Sequence, residues 1–280
     1  MKTTLLNISG KLDPGTVEIY CAVSTIASQL GMLFVVVGAS ARDLVMHHGY
    51  GANIERATQD VDFGIQVADW DAFNNLKTQL LGAGFTLGRV EHRMLSPSKT
   101  PIDIIPFGGN QDATAHIAWP PTGEVVMSVL GFQEACDHAQ LVRIQEEPPM
   151  DIPVASPQGM VLLKLMAWMD RTEDLRQKDA KDILYLLKAY AAIPDVSDKV
   201  YDNLMDTYGW DLEMAGAHQL GADAGEIASN QTRAAIENLL NEAQQRPRTE
   251  RLVEEMCEQP EHQFKKYRDY LNAFANGFTG

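Results

Sequence analysis

Apolar and polar positions change their rhythm near residue 155. Before that point, short apolar runs are separated by glycine, proline and polar turns; after it, apolar residues recur at helical spacing. The uninterrupted run Phe34-Val35-Val36-Val37 predicts a buried strand, followed by a tight turn at Gly38 and a helix entered through Arg42-Asp43-Leu44-Val45-Met46. A loop is expected from His47 to Thr58. The segment from Thr58 to Ile65 then alternates, which puts Val61, Phe63 and Ile65 on one face of a strand and Asp60 and Asp62 on the other. A further strand is predicted at Pro101-Ile102-Asp103-Ile104-Ile105, where a carboxylate interrupts β-branched residues.

Around these strands the helices are marked by their caps. Asp13 followed by Pro14 opens a helix with Val17, Tyr20, Val23, Ile26, Ala27 and Leu30 on its apolar stripe, closed by Gly31. Asp69 caps a second, carrying Trp70, Phe73, Leu76 and Leu80 and ended by Gly82 and Gly84. Phe85 to Phe107 reads as a hairpin-like region. Val125 to Val154 reads as short strands and turns around Gly131, with Glu146-Glu147-Pro148-Pro149 as a surface loop. From Ser156-Pro157 onward, helices are predicted over 161–169, 178–190, 199–208, 224–242 and 262–274. The expectation is an α+β chain: a mixed β-sheet with flanking helices over 1–155, then an all-helical domain over 156–280.

Composition narrows the class. With 45% hydrophobic and 22% charged residues the chain reads as an ordinary soluble protein. No apolar run approaches a bilayer's thickness, and the first residues lack the apolar core of a signal peptide, so a cytoplasmic location away from membranes is expected. Cys21, Cys136 and Cys257 are far apart and form no Cys-x-x-Cys, which argues against a disulfide framework or a zinc site. The seven histidines show no metal-binding spacing. The formal net charge of −15 works against general binding of nucleic acid, so an RNA partner would require a local basic patch.

Candidate chemistry centres on Asp60, Asp62 and Asp103. Two carboxylates on one strand face are hard oxygen ligands suited to Mg²⁺ together with substrate phosphates. Taken alone, an Asp-x-Asp pair is also an ordinary solvated strand face. The glycine turn upstream and the acid inside an apolar strand downstream favour the metal reading, because a lone buried carboxylate is costly without a partner. Nucleotidyl transfer needs attacking and leaving oxygens held in line, and two metal ions about 3.5–4 Å apart can clamp both. Asp60, Asp62 and Asp103 are therefore the candidate ligands of a two-ion site, with Asp103 also able to accept a proton from an attacking hydroxyl. Gly38 and Ser40 are assigned to substrate phosphates, glycine for close backbone approach and serine for its donor. Lys164 stands alone in an apolar helix and must either reach solvent or meet an anion. Arg42 and Asp43 are open to two readings, a local ion pair or a role in binding substrate.

In order, Gly38-Ala39-Ser40-Ala41-Arg42-Asp43, Thr58-Gln59-Asp60-Val61-Asp62-Phe63 and Ile102-Asp103-Ile104-Ile105-Pro106-Phe107-Gly108 resemble the nucleotidyltransferase superfamily that includes polymerase beta. More narrowly they resemble the AbiEii/AbiGii, or MenT-like, branch of abortive-infection toxins. Arg176-Gln177-Lys178-Asp179-Ala180-Lys181-Asp182 is similar to that branch's last motif, Arg-x-Lys-Asp-x-x-Asp. Two departures stand out: Gly-Ala-Ser replaces the commoner Gly-Gly or Gly-Ser, and nineteen residues lie between Ser40 and Asp60, a longer interval than usual.

The resemblance covers roughly residues 34–190. It implies a nucleotidyltransferase-type sheet, a helical domain completing a nucleotide cleft, and Mg²⁺-dependent transfer of a nucleoside monophosphate from a nucleoside triphosphate to a hydroxyl, with release of pyrophosphate. It also implies Lys164 on the triphosphate, with Asp182 or Asp179 assisting Lys164 or the base. In that branch the acceptor can be the 3′ end of tRNA, and a cognate antitoxin controls the enzyme. Three alternatives stay open. Nucleotidylation of a small cation such as an aminoglycoside suits the acidic charge, although a rim of Arg89, His92, Arg93 and Lys99 beside Asp103 would oppose it. The others are a non-catalytic nucleotide-binding module and modification of a protein side chain.

Overall fold

The computed structural model describes residues 5–54 and 60–280, side chains at 174 and 242–245 excepted. Arg56, Thr58 and Gln59, the last two expected to begin the Asp-x-Asp strand, lie outside the described residues. The chain divides into two compact units, Met1–Ser156 and Pro157–Gly280.

Unit one is built on a mixed sheet. Its strands are β1 (Leu6–Asn7), β2 (Phe34–Val37), β3 (Val61–Val67), β4 (Thr86–Leu87), β5 (Arg93–Leu95), β6 (Pro101–Gly108), β9 (Gln140–Gln145) and β10 (Met150–Val154), while β7 (His116–Ala118) and β8 (Val126–Ser128) pair separately. The sheet order is β1-β9-β10-β2-β3-β6-β5-β4 among the described residues. β2 lies inside it and is buried at all four positions, which explains its unbroken apolar run. It pairs antiparallel with β3, β3 runs parallel to β6, and β6 is antiparallel to β5.

Helix α1 (Pro14–Gln29) is capped by the Asp13 side chain, which accepts from the Thr16 N–H. Its Tyr20 meets Phe63 of β3 edge-on, with ring centroids 6.0 Å apart. α3 (Trp70–Gly82) is capped by Asp69 and buries Phe73, Leu76 and Leu80. On the opposite face, Gly64 leaves room for Phe132 of α4 (Phe132–Asp137), and that ring packs on Phe107 at 5.8 Å. The region expected to turn around Gly131 thus contains this short helix, entered through Gly131 at φ +88°. Between β2 and β3 the chain is helical from its first residue: α2 (Gly38–Arg42) continues into a π-helical stretch, Asp43–Gly49.

Unit two contains α5 (Pro157–Asp170), α6 (Glu173–Ala189), α7 (Pro194–Asn203), α8 (Leu212–Ile227), α9 (Asn230–Leu240), α10 (Glu242–Met256) and α11 (Pro260–Thr279). A buried network ties three parts of it together: Gln158 donates to the Tyr190 hydroxyl at 2.9 Å, which donates to Asp223 of α8 at 2.6 Å. α8 and α11 touch backbone to backbone, because a Cβ at Gly221 would overlap the Phe274 carbonyl and one at Gly277 that of His218.

Several boundaries differ from expectation, among them the start of α8 at Leu212, where no helix was predicted, and that of α6 at Glu173. α7 covers 194–203 rather than 199–208, since Pro194 takes the first helical position, where its fixed φ suits the helix. The segment 224–242 is divided at Ser229, whose side chain accepts from the Thr232 N–H and starts α9 anew. α10 was not foreseen, being poor in apolar residues and carrying Pro247 internally. No helix among the described residues is long and apolar enough to cross a membrane.

Candidate active site

Strand pairing in unit one aligns four residues across the sheet: Val37 of β2 faces Asp62 of β3, Asp62 faces Asp103 of β6, and Asp103 faces Arg93 of β5. Alternation does the aiming. Val61, Phe63 and Ile65 are buried on one side of β3, as are Ile102 and Ile104 of β6, so Asp62 and Asp103 emerge together on the other. Asp60 stands immediately before β3 rather than within it. Even so, one carboxylate oxygen from each of Asp60, Asp62 and Asp103 lies within 4.8 Å of the others.

Like charges directly opposite on paired strands repel. Arg93 offsets this. Its Nε donates to Asp103 Oδ1 at 2.7 Å and its Nη2 to Asp103 Oδ2 at 2.6 Å, a two-pronged clasp, and Nη2 also reaches Asp60 Oδ2 at 3.4 Å. The hydrogen bond to Asp103 raises the guanidinium pKa above its ordinary value, so this cation is permanent. Nothing local in the sequence marks Arg93 for the task; it arises from β5–β6 register.

Gly38 sits against Asp62 at φ +68°, and a Cβ there would fall 2.8 Å from the Asp62 Cγ. A larger residue would be strained in its backbone and would displace the carboxylate. Ser40, buried, donates its hydroxyl to the Val37 carbonyl at 3.0 Å and accepts from the Asp62 N–H at 3.4 Å, joining the helix opening to both strands. Tyr20 hydrogen-bonds the same serine, and burial pushes its phenol above the ordinary range. Arg42 and Asp43 form the local ion pair, at 2.8 Å. Beside this group opens a cavity of about 210 Å³ lined by Lys11, Tyr20, Ser40, Asp43, His48 and Asp60 among others. Lys11 and His48 escaped sequence reading; Lys11 Nζ donates to the His48 carbonyl at 2.6 Å, and burial lowers the His48 pKa.

One family model, that of the nucleotidyl transferase AbiEii toxin of type IV toxin–antitoxin systems, matches residues 23–273. The chain belongs to this family. The match extends beyond the 34–190 stretch that carries the visible motifs, through nearly all of the helical unit. No curated protein sequence matches the AbiEii-family chain. Among solved structures, the antibiotic-resistance factor ANT(2″)-Ia is similar at 12% identity and TM-score 0.40, over 71% of this chain and 99% of that one. The same factor in complex with adenylyl-2″-tobramycin gives 13% and 0.36, over 80% and 98%. The Thermotoga maritima CCA-adding enzyme complexed with tRNA gives 11% and 0.27, over 95% and 80%. The assignment as a nucleotidyl transferase rests on the family match.

Within the helical unit, Lys164 of α5 meets an anion rather than solvent: its ammonium lies 3.0 Å from Asp179 and 2.7 Å from Asp182, both on α6. Asp179 is fully buried and is also bound by Arg171 at 2.8 Å. Burial opposes the charge on Lys164, but the two carboxylates outweigh it and raise the pKa above its ordinary value. The three-residue spacing of Asp179 and Asp182 puts both on one helix face, toward α5.

Proposed function

We propose that this AbiEii-family transferase moves a nucleoside monophosphate from a nucleoside triphosphate to an acceptor hydroxyl at the 3′ end of tRNA, as the cytoplasmic toxin of a pair with its own antitoxin. The observation that carries the reading is the convergence of Asp60, Asp62 and Asp103 within 4.8 Å. These residues fit Mg²⁺ as ligands, since their oxygens are hard donors and the cluster already draws a cation, Arg93, onto two of its members. When bound, Mg²⁺ supplies electrophilic stabilisation of the charge that builds on the transferring phosphoryl group.

The protein's own part follows from its residues. Asp103 takes the proton of the acceptor hydroxyl, that oxygen bonds to the α-phosphorus, and the bond to the β-phosphate breaks with its electron pair leaving on pyrophosphate. Gly38 and the free N–H groups of the helix it opens receive phosphate oxygens, with Ser40 holding Asp62 in place. Lys164, kept charged by Asp179 and Asp182, is assigned to the triphosphate, Asp182 acting through it. Arg93 must release Asp103 before that carboxylate can serve.

A decisive experiment incubates the protein and an Asp60→Ala/Asp62→Ala variant with each α-labelled nucleoside triphosphate, Mg²⁺ and total tRNA. Label reaching tRNA only with the unaltered protein is the expected result; no transfer to tRNA with any nucleotide overturns the acceptor. A second reading, a small cationic acceptor such as an aminoglycoside, draws on the net charge of −15. Against it, Arg93 lies on Asp103. Aminoglycoside in place of tRNA in the same assay separates the two.

A further inference from the structure

The helical unit carries a cationic cavity apart from the Lys164 cluster. About 300 Å³ in volume, it is lined by Trp168 and Met169 of α5, Arg176 of α6, and Pro247, Arg248 and Arg251 of α10. In a chain with 23 basic and 38 acidic residues, three arginines around one cavity call for a cause. Glu255 answers for one of them: it accepts from Arg176 Nε and from the Trp168 indole N–H, each at 2.7 Å. Arg176 Nη2 remains buried with no hydrogen-bond partner among the described residues. Arg248 donates to the Met169 carbonyl at 3.2 Å, and neither it nor Arg251 has a carboxylate partner among the described residues. The guanidinium groups of Arg176 and Arg248 lie 5.5 Å and 6.0 Å from the Trp168 ring centre.

A buried guanidinium N–H without an acceptor is costly, and three like charges repel; an oxyanion relieves both at once. Arginine's planar fork suits phosphate in particular. Arg248 and Arg251, three apart on α10, share a face and are open to solvent, which suits a ligand that continues beyond the cavity.

We propose that this cavity is a phosphate-binding site that takes a backbone phosphate of the RNA acceptor strand. As to the strand, the proposal rests on the acceptor reading above; the anion site itself does not. It also supplies the local basic patch that an RNA partner of so acidic a protein requires.

The test uses the whole protein and its Arg248→Ala/Arg251→Ala variant, two exposed positions whose truncation leaves the core intact. Inorganic phosphate is titrated against the tryptophan fluorescence, with Trp168→Phe identifying the reporting residue. tRNA affinity is measured across a salt series, and the KM for nucleoside triphosphate alongside. The expected result is a Trp168 response to phosphate that the variant lacks. tRNA binding in the variant should be weaker by roughly tenfold or more at low salt, with a log–log salt slope shallower by about one, at an unchanged KM for nucleotide. If the variant binds tRNA as tightly and with the same slope, the inference is overturned while the acceptor reading survives. If the unaltered protein responds to phosphate but binds no tRNA, the strand as source and the acceptor reading both fall. A raised nucleotide KM with unchanged tRNA binding would instead make free triphosphate the source and overturn the backbone assignment.

Discussion

At Asp62 and Asp103, two carboxylates face each other across paired strands, a repulsion that the Arg93 guanidinium on Asp103 eases. Asp62→Asn removes one negative charge from this row while keeping side-chain shape, so the fold should keep or gain stability while transfer falls by about a thousandfold or more. Thermal denaturation and label transfer check both halves; full activity with unchanged Mg²⁺ dependence would remove Asp62 from the site. Arg93→Ala probes the same row from the other side. Its guanidinium is 37% exposed, so its loss should cost only about 1 kcal/mol in metal-free protein. Mg²⁺ should restore that stability, and Mn²⁺ should bind the variant more tightly than the unaltered protein, which must first give up the Arg93 clasp. An equal Mg²⁺-induced rise in melting temperature in both proteins would sink this account. The three aspartates were legible because Asp103 stands in an apolar strand and Asp60 and Asp62 alternate with core residues. Arg93 was legible only as one of several cations nearby, since strand register has no signature in local sequence.

Between elements, the joint of α5 to α6 through Lys164 makes a separable prediction. Truncating one member of a buried ion cluster leaves its partners uncompensated, so Lys164→Met should destabilise the protein by about 3–5 kcal/mol, measured by denaturant unfolding. The pH dependence has a definite sign. Because the folded pKa lies above the ordinary 10.5, the stability Lys164 contributes is complete below that value and is lost as pH rises through the folded pKa. The gap between unaltered protein and variant should therefore stay constant from pH 7 to 10 and narrow above about 10.5; a gap that narrows on acidification alone would contradict it. Calorimetry of nucleoside triphosphate binding, at temperatures where the variant is folded, tests the triphosphate assignment independently. The sequence made α5 plain through its capping serine and proline and its apolar run. It misplaced α7 and missed α10 for opposite reasons: Pro194 starts a helix earlier than the apolar stripe suggests, whereas Pro247 lies inside one that tertiary packing sustains.

Across the whole molecule the two candidate charge clusters fall in different compact units: the aspartate triad before Ser156, and Lys164 with Asp179 and Asp182 after it. The family match spans both, from residue 23 to 273. Yet every strand that sets the triad's register, β2, β3, β5 and β6, lies in unit one, as does the core beneath them. A fragment of residues 1–156 should therefore keep a metal site, binding Mn²⁺ within about threefold of the full chain, because its ligands and their supporting strands are all present. It should transfer no nucleotide, because the lysine assigned to the triphosphate and the arginine cavity assigned to the acceptor are both missing. Paramagnetic titration of Mn²⁺ and the label-transfer assay read the two halves separately. A fragment that transfers label as fast as the full chain would confine catalysis to the sheet and strip the helical unit of any role in it. A folded fragment that no longer binds Mn²⁺ would show that the aspartates need a ligand from beyond Ser156. If the fragment does not fold, Lys164→Ala in the full chain asks the same question, since retained Mn²⁺ binding with transfer lost is the outcome that the triphosphate assignment of Lys164 requires.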